Sequence, residues 1–109
     1  MLMGSWADHA IKKLQNGESV IIKPRGSSMK GRIESGNMVT LVPCDPYKLV
    51  PGDIVLVKVK GRIYLHLIKS LKNYKNKIKF QIGNNRGFIN GWVGSESIYG
   101  IVSKIENGW

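Results

Sequence analysis

The chain has 109 residues, 17 Lys and Arg against 7 Asp and Glu, a formal net charge of +10 and 42% hydrophobic residues. That is enough chain for one domain with its own core, and too apolar a composition for a disordered segment. The single cysteine, Cys44, excludes an intrachain disulfide and fits a reducing compartment, so the cytoplasm is the expected location.

The N-terminal "MLMGSWADHA" lacks the basic start and apolar core of a secretory signal. Ser5 and Asp8 instead read as a capping box, and Trp6, Ala10, Ile11 and Leu14 share a face at helical spacing. A short helix over roughly residues 5–16 is expected, with Gly17 as its C-cap and His9 on the surface. After it the chain reads as strand and turn. "SVIIK" (Ser19 to Lys23) is a β-branched strand ended by Pro24-Arg25-Gly26, and "NMVTLVP" alternates in the manner of a strand. "CDPYKLVPGD" is a connecting loop. "IVLVKVKGRIYLHLIKS" predicts a hairpin turning at Lys60-Gly61-Arg62. "LKNYKNK" is expected to be a polar tip, Ile78 to Ile82 a strand, "GNNRGFINGWVG" a loop, and "SIYGIVSKI" a closing strand. The longest uncharged apolar run, Ile54 to Val57, is far too short to span a membrane, so no membrane association is expected. The fold class is mainly β with one short N-terminal helix, over residues 1–109 as one domain.

Charge is unevenly spread. No Asp or Glu occurs between Ile54 and Ser95, a stretch that holds Lys58, Lys60, Arg62, Lys69, Lys72, Lys75, Lys77, Lys79 and Arg86. A field of that sign attracts nucleic acid or an acidic protein surface, although a lysine-rich solvated face has the same composition. Phe88 and Trp92 either pin their glycine-rich loop onto the core or stand out to stack on a base or anchor in a partner.

Gly26-Ser27-Ser28-Met29 is a tight turn able to present the Ser28 hydroxyl. A serine is a nucleophile only where a base takes its proton and oriented donors receive the oxyanion. Only two histidines exist, and His66 lies in a strand apolar on both faces, with Ile63, Leu65 and Leu67 on one and Tyr64 and Ile68 on the other. It is either a satisfied core histidine or a positioned base. The same "RGSSMKG" turn is also a candidate anion nest through its amides and Arg25 or Lys30. One cysteine and two distant histidines give no metal-ligand spacing, and there is no phosphate loop or dinucleotide fingerprint, so no metal or cofactor is expected.

The order "GSSMKGRIESGNMV", "VPGDIVLVKVKG", "YLHLI", "QIGNNRG", "IYGIVSKI", from about Ile21 to Ile105, resembles the catalytic domain shared by LexA- and UmuD-type self-cleaving proteins and type I signal peptidases. The resemblance implies a β-clip-type fold. It implies Ser28 as nucleophile on the Gly26-Ser27-Met29 turn, Gly52-Asp53 as the hairpin's lead-in, and His66 as base, as in the endoplasmic-reticulum and archaeal signal peptidases. It also implies a peptide or protein substrate, and a homodimer pairing through the closing strand Ile98 to Ile105. The departures are Gly31 for the usual proline, Asn37 for an aspartate, and Leu67 for an arginine. Gly83-Asn84-Asn85 stands where a G-D-N loop carries the aspartate that orients the base. Asn84 or Asn85 is then the expected orienting residue, hydrogen bonding the imidazole without a carboxylate's charge. Neither an Ala-Gly nor a Cys-Gly bond occurs, so LexA-style self-cleavage is not expected. The alternative is a member that keeps the fold without the catalysis, a basic regulator of the kind phages and mobile elements would use.

Overall fold

The computed structural model describes residues 7–108. Ser5 and Trp6, half of the expected helix start, lie outside the described residues. Helix α1 spans Ala7–Gln15 and buries Ala7, Ala10 and Leu14. It ends as a Schellman turn: Glu18 N–H donates to Lys13 C=O and Gly17 N–H to Leu14 C=O, with Gly17 at φ +81°.

Seven strands follow: β1 (Val20–Ile22), β2 (Met38–Val42), β3 (Ile54–Val59), β4 (Arg62–Tyr74), β5 (Lys77–Gly83), β6 (Ile89–Gly94) and β7 (Ile98–Glu106). They form one antiparallel sheet in the order β1-β2-β7-β3-β4-β5-β6. Two hairpins turn on two residues at positive φ, Lys60-Gly61 and Lys75-Asn76, the geometry that matches strand twist. The expected polar tip therefore shrinks to Lys75-Asn76, because β4 continues through "LKNY". Likewise the expected loop "GNNRGFINGWVG" yields β6. The closing strand β7 pairs with β3 over Ile98 to Ile101 and with β2 over Ile101 to Glu106, so it lies between them in strand order while each half is paired on one side; the outermost strands are β1 and β6.

Strand β4 is long because it serves two partners. Arg62 to Leu67 pair with β3, and Leu67 to Tyr74 pair with β5. Lys69 is the extra residue where the register shifts, a bulge that bends the strand. The bent sheet is buried on both faces over β3 and the first half of β4, and on one face beyond the bulge. One core holds Ala10, Leu14, Met29, Ile33, Val39, Leu41, Ile54, Leu56, Leu65 and Leu67. The other holds Val55, Val57, Val59, Ile68, Phe80, Ile82 and Val93. His66, opposite Val55, faces the second.

Candidate functional site

Residues 23–37 connect β1 to β2 as an irregular segment, held down by apolar anchors. Met29 and Ile33 are fully buried in the first core. Around them the backbone closes one tight turn: Lys30 N–H donates to Ser27 C=O, and Arg32 and Ile33 N–H both donate to Met29 C=O. Ser35 closes the base of the segment, its Oγ accepting from Gly26 N–H and donating to Gly26 C=O. Ser28 is left half-exposed beside the buried Met29.

Its hydroxyl lies 3.2 Å from Nε2 of His66. His66 is the one buried polar side chain among the described residues, 3% exposed. Its other ring nitrogen, Nδ1, lies 2.7 Å from Oδ1 of Asn90. An amide oxygen can only accept, so Nδ1 carries the hydrogen and donates it. In the neutral ring, Nε2 then keeps its lone pair and accepts the Ser28 O–H, the tautomer a general base requires. Burial holds the His66 pKa down at about 4 from the usual 6.5, the Asn90 hydrogen bond opposing it, so the ring is neutral at pH 7. Tyr64, two residues earlier on the same face, stacks on the imidazole with centroids 4.8 Å apart and fixes its plane.

A buried histidine needs two partners on packing grounds alone. What exceeds that need is the identity of one: a half-exposed hydroxyl on a tight turn, reachable from solvent while its partner is dry.

Asn90, not Asn84 or Asn85, orients the ring. Asn84 Oδ1 accepts from the N–H groups of Arg86 and Phe88, closing its own loop. Asn85 clamps the serine turn: its N–H donates to Ser28 C=O at 3.0 Å and its Nδ2 to Lys30 C=O at 2.8 Å. Asn90 was invisible to motif reasoning because it is a bulge residue. Ile82 pairs with Gly91 and Gly83 with Ile89, leaving Asn90 as the extra residue between them. Such a bulge re-aims its side chain. The available hint was the Asn-Gly pair in "FINGW", with Gly91 at φ +147°.

For an oxyanion, the Gly26 N–H is already taken by Ser35. The N–H groups of Ser28 and Met29 have no backbone or side-chain acceptor among the described residues and remain the available donors. Two surface indentations, of about 530 and 460 Å³, are lined by residues around Lys23, Arg25, Glu34 and Asn37 and around His9 and Val20 to Lys23, none of them a member of the Asn90–His66–Ser28 chain.

Lys58, Lys60 and Arg62 sit at the β3–β4 turn, where the Lys60 side chain reaches Gly91 of β6, and Lys72, Lys75, Lys77 and Lys79 sit along the β4–β5 hairpin. Lys69 is half-buried at the bulge, and Arg86 is exposed in the β5–β6 loop. Phe88 and Trp92, 61% and 41% exposed, do not pin that loop to the core. Among the described residues no three His, Cys, Asp or Glu side chains converge to hold a metal ion, and no helix is long and apolar enough to cross a membrane. No protein-family model matches the chain, and no curated protein matches it.

Proposed function

We propose that this chain is a serine hydrolase acting on peptide bonds, with Ser28 as nucleophile, His66 as general base and Asn90 as the residue that sets the imidazole tautomer. The observation that carries the reading is the continuous chain of contacts from Asn90 Oδ1 through His66 to Ser28 Oγ. The motif order that resembles the LexA and signal-peptidase domains supports the same assignment.

The chemistry follows from that chain. Nε2 takes the Ser28 proton as Oγ attacks the substrate carbonyl carbon, and the carbonyl oxygen becomes an oxyanion held by the Ser28 and Met29 N–H groups. The imidazolium then passes its proton to the departing amine as the C–N bond breaks, leaving an acyl ester on Ser28. Water enters with Nε2 again as base and releases the acid. The imidazolium that forms in each half-reaction faces an amide dipole instead of a carboxylate, so it is less stabilised and turnover is slow. A neutral orienting group also lets the base stay unprotonated to unusually low pH.

The test is incubation with a diverse synthetic peptide pool and detection of new termini by mass spectrometry. Wild type generates cleavage products that Ser28→Ala and His66→Gln do not. Identical product patterns in all three proteins would reduce the serine–histidine pair to a core contact.

A further inference from the structure

We propose that the outer face of β4, β5 and β6 binds single-stranded nucleic acid, stacking bases on Trp92 and Tyr74 and holding phosphates on Lys72, Lys77 and Lys79. Strand alternation sorts this part of the sheet. Phe80, Ile82 and Val93 point into the second core, so Lys77, Lys79, Gln81 and Trp92 point out. The register sets Tyr74 opposite Lys77, Lys72 opposite Lys79, and Gln81 opposite Trp92.

Three features of this face are unusual for a merely solvated surface. Lys72 and Lys79 are like charges directly opposite each other, an arrangement that disfavours the pair by about 0.2–1 kcal/mol. Neither has a carboxylate partner, since the one ion pair among the described residues joins Lys104 to Glu106. An anion lying between them removes that cost. The face also carries two large exposed aromatics, Tyr74 at 53% and Trp92 at 41%. They are roughly 16 Å apart by strand spacing, the reach of a few nucleotides. Finally, the Lys72 ammonium of β4 reaches across β5 to sit 4.3 Å from the Trp92 ring centroid on β6.

That cation–π contact parks a phosphate ligand on a stacking surface. At an exposed site it is worth about 0.5–1 kcal/mol. A base stacked on an aromatic is worth about 1–3 kcal/mol. A base therefore displaces the ammonium from the ring, and the freed ammonium turns to the adjoining phosphate. An acidic protein surface satisfies the lysines but leaves both rings in water, which favours nucleic acid as occupant. A duplex hides its base faces, which favours a single strand. The Glu96 carboxylate lies over Gly94, the β6 residue opposite Lys79, and is the one acidic group among the described residues at this side of the face, so a phosphate approaches from the β4 side.

The test is fluorescence anisotropy with a labelled 12-nucleotide single-stranded DNA, its duplex, and poly-glutamate as competitor. Saturable binding to the single strand is expected, weaker for the duplex, with log K falling against log salt at a slope of about −2 for three phosphate contacts. Trp92→Leu weakens binding by about tenfold or more, and Lys79→Gln lowers both affinity and slope. Ser28→Ala binds as wild type does, which separates this face from the hydrolytic site. Absence of saturable binding at low salt overturns the proposal. So does binding unchanged in a folded Trp92→Leu protein, or poly-glutamate displacing the DNA at equal charge, which would make the occupant an acidic protein.

Discussion

The carbonyl oxygen of Asn90 and the Nδ1 of His66 lie 2.7 Å apart, and this contact decides which imidazole nitrogen offers its lone pair to Ser28. An acceptor at Nδ1 forces the hydrogen there and leaves Nε2 free. The opposite tautomer would place a hydrogen between Nε2 and Oγ and leave the serine without a base.

Replacing Asn90 changes that control in two separable ways. Asn90→Asp keeps the acceptor and adds a charge that stabilises the imidazolium. It is expected to raise the Ser28 acylation rate by at least about tenfold and to move the acid limb of the rate up from near pH 4. Asn90→Leu removes the acceptor and is expected to abolish acylation. Stopped-flow or mass-resolved acylation over pH 3–8 measures both.

The buried imidazole also makes stability depend on pH. His66 binds a proton at about 4 when folded and near 6.5 when unfolded, so between those values the unfolded state holds more protons. The contribution is fully present above pH 6.5 and is lost as pH falls toward 4, on the order of 3 kcal/mol in all. Urea unfolding at pH 7 and pH 4 measures it, and His66→Gln flattens the difference by about that amount.

Gly83 holds the β5–β6 pairing that aims Asn90. A Cβ built there lies 2.5 Å from the backbone oxygen of Phe88. Gly83→Ala is expected to cost about 1–3 kcal/mol and, by pushing β6 away, to lower Ser28 acylation in the molecules that still fold. Gly17→Ala, an open position with no atom within 4 Å, strains only the helix cap and leaves acylation unchanged. Thermal melts together with labelling rates distinguish the two.

Asn85 couples the serine turn to the β5–β6 loop. Asn85→Ala loses the Nδ2 bond to Lys30 while keeping the backbone bond to Ser28, a change of about 1 kcal/mol in stability. Acylation of Ser28 should fall several-fold more than stability explains, because the turn loses one of its two ties. A parallel fall of rate and stability would assign Asn85 a purely structural role.

The legible part of the sequence was what local pattern encodes. The hairpin of β3 and β4, the two-sided burial around His66, the Gly17 cap and the pairing of Ser28 with His66 across 38 residues all follow from alternation, turn residues and motif order. What escaped depends on register. Asn90 faces the imidazole only because β6 gains one residue against β5, and no periodicity marks that slip. The basic run is divided between two hairpin turns, yet the Lys60 side chain comes back to Gly91 of β6, a proximity that no local pattern marks. The division of β7, whose first half pairs with β3 and whose second half pairs with β2, is likewise marked by no local pattern.

The most direct measurement is covalent labelling of wild-type protein with a fluorophosphonate probe, followed by intact mass and peptide mapping, over pH 3–8. One adduct on Ser28 is expected, absent in Ser28→Ala and His66→Gln, with a rate that stays level from pH 8 to about 5 and falls near 4. No adduct on Ser28 in folded protein, or an adduct formed equally well in His66→Gln, would contradict the account.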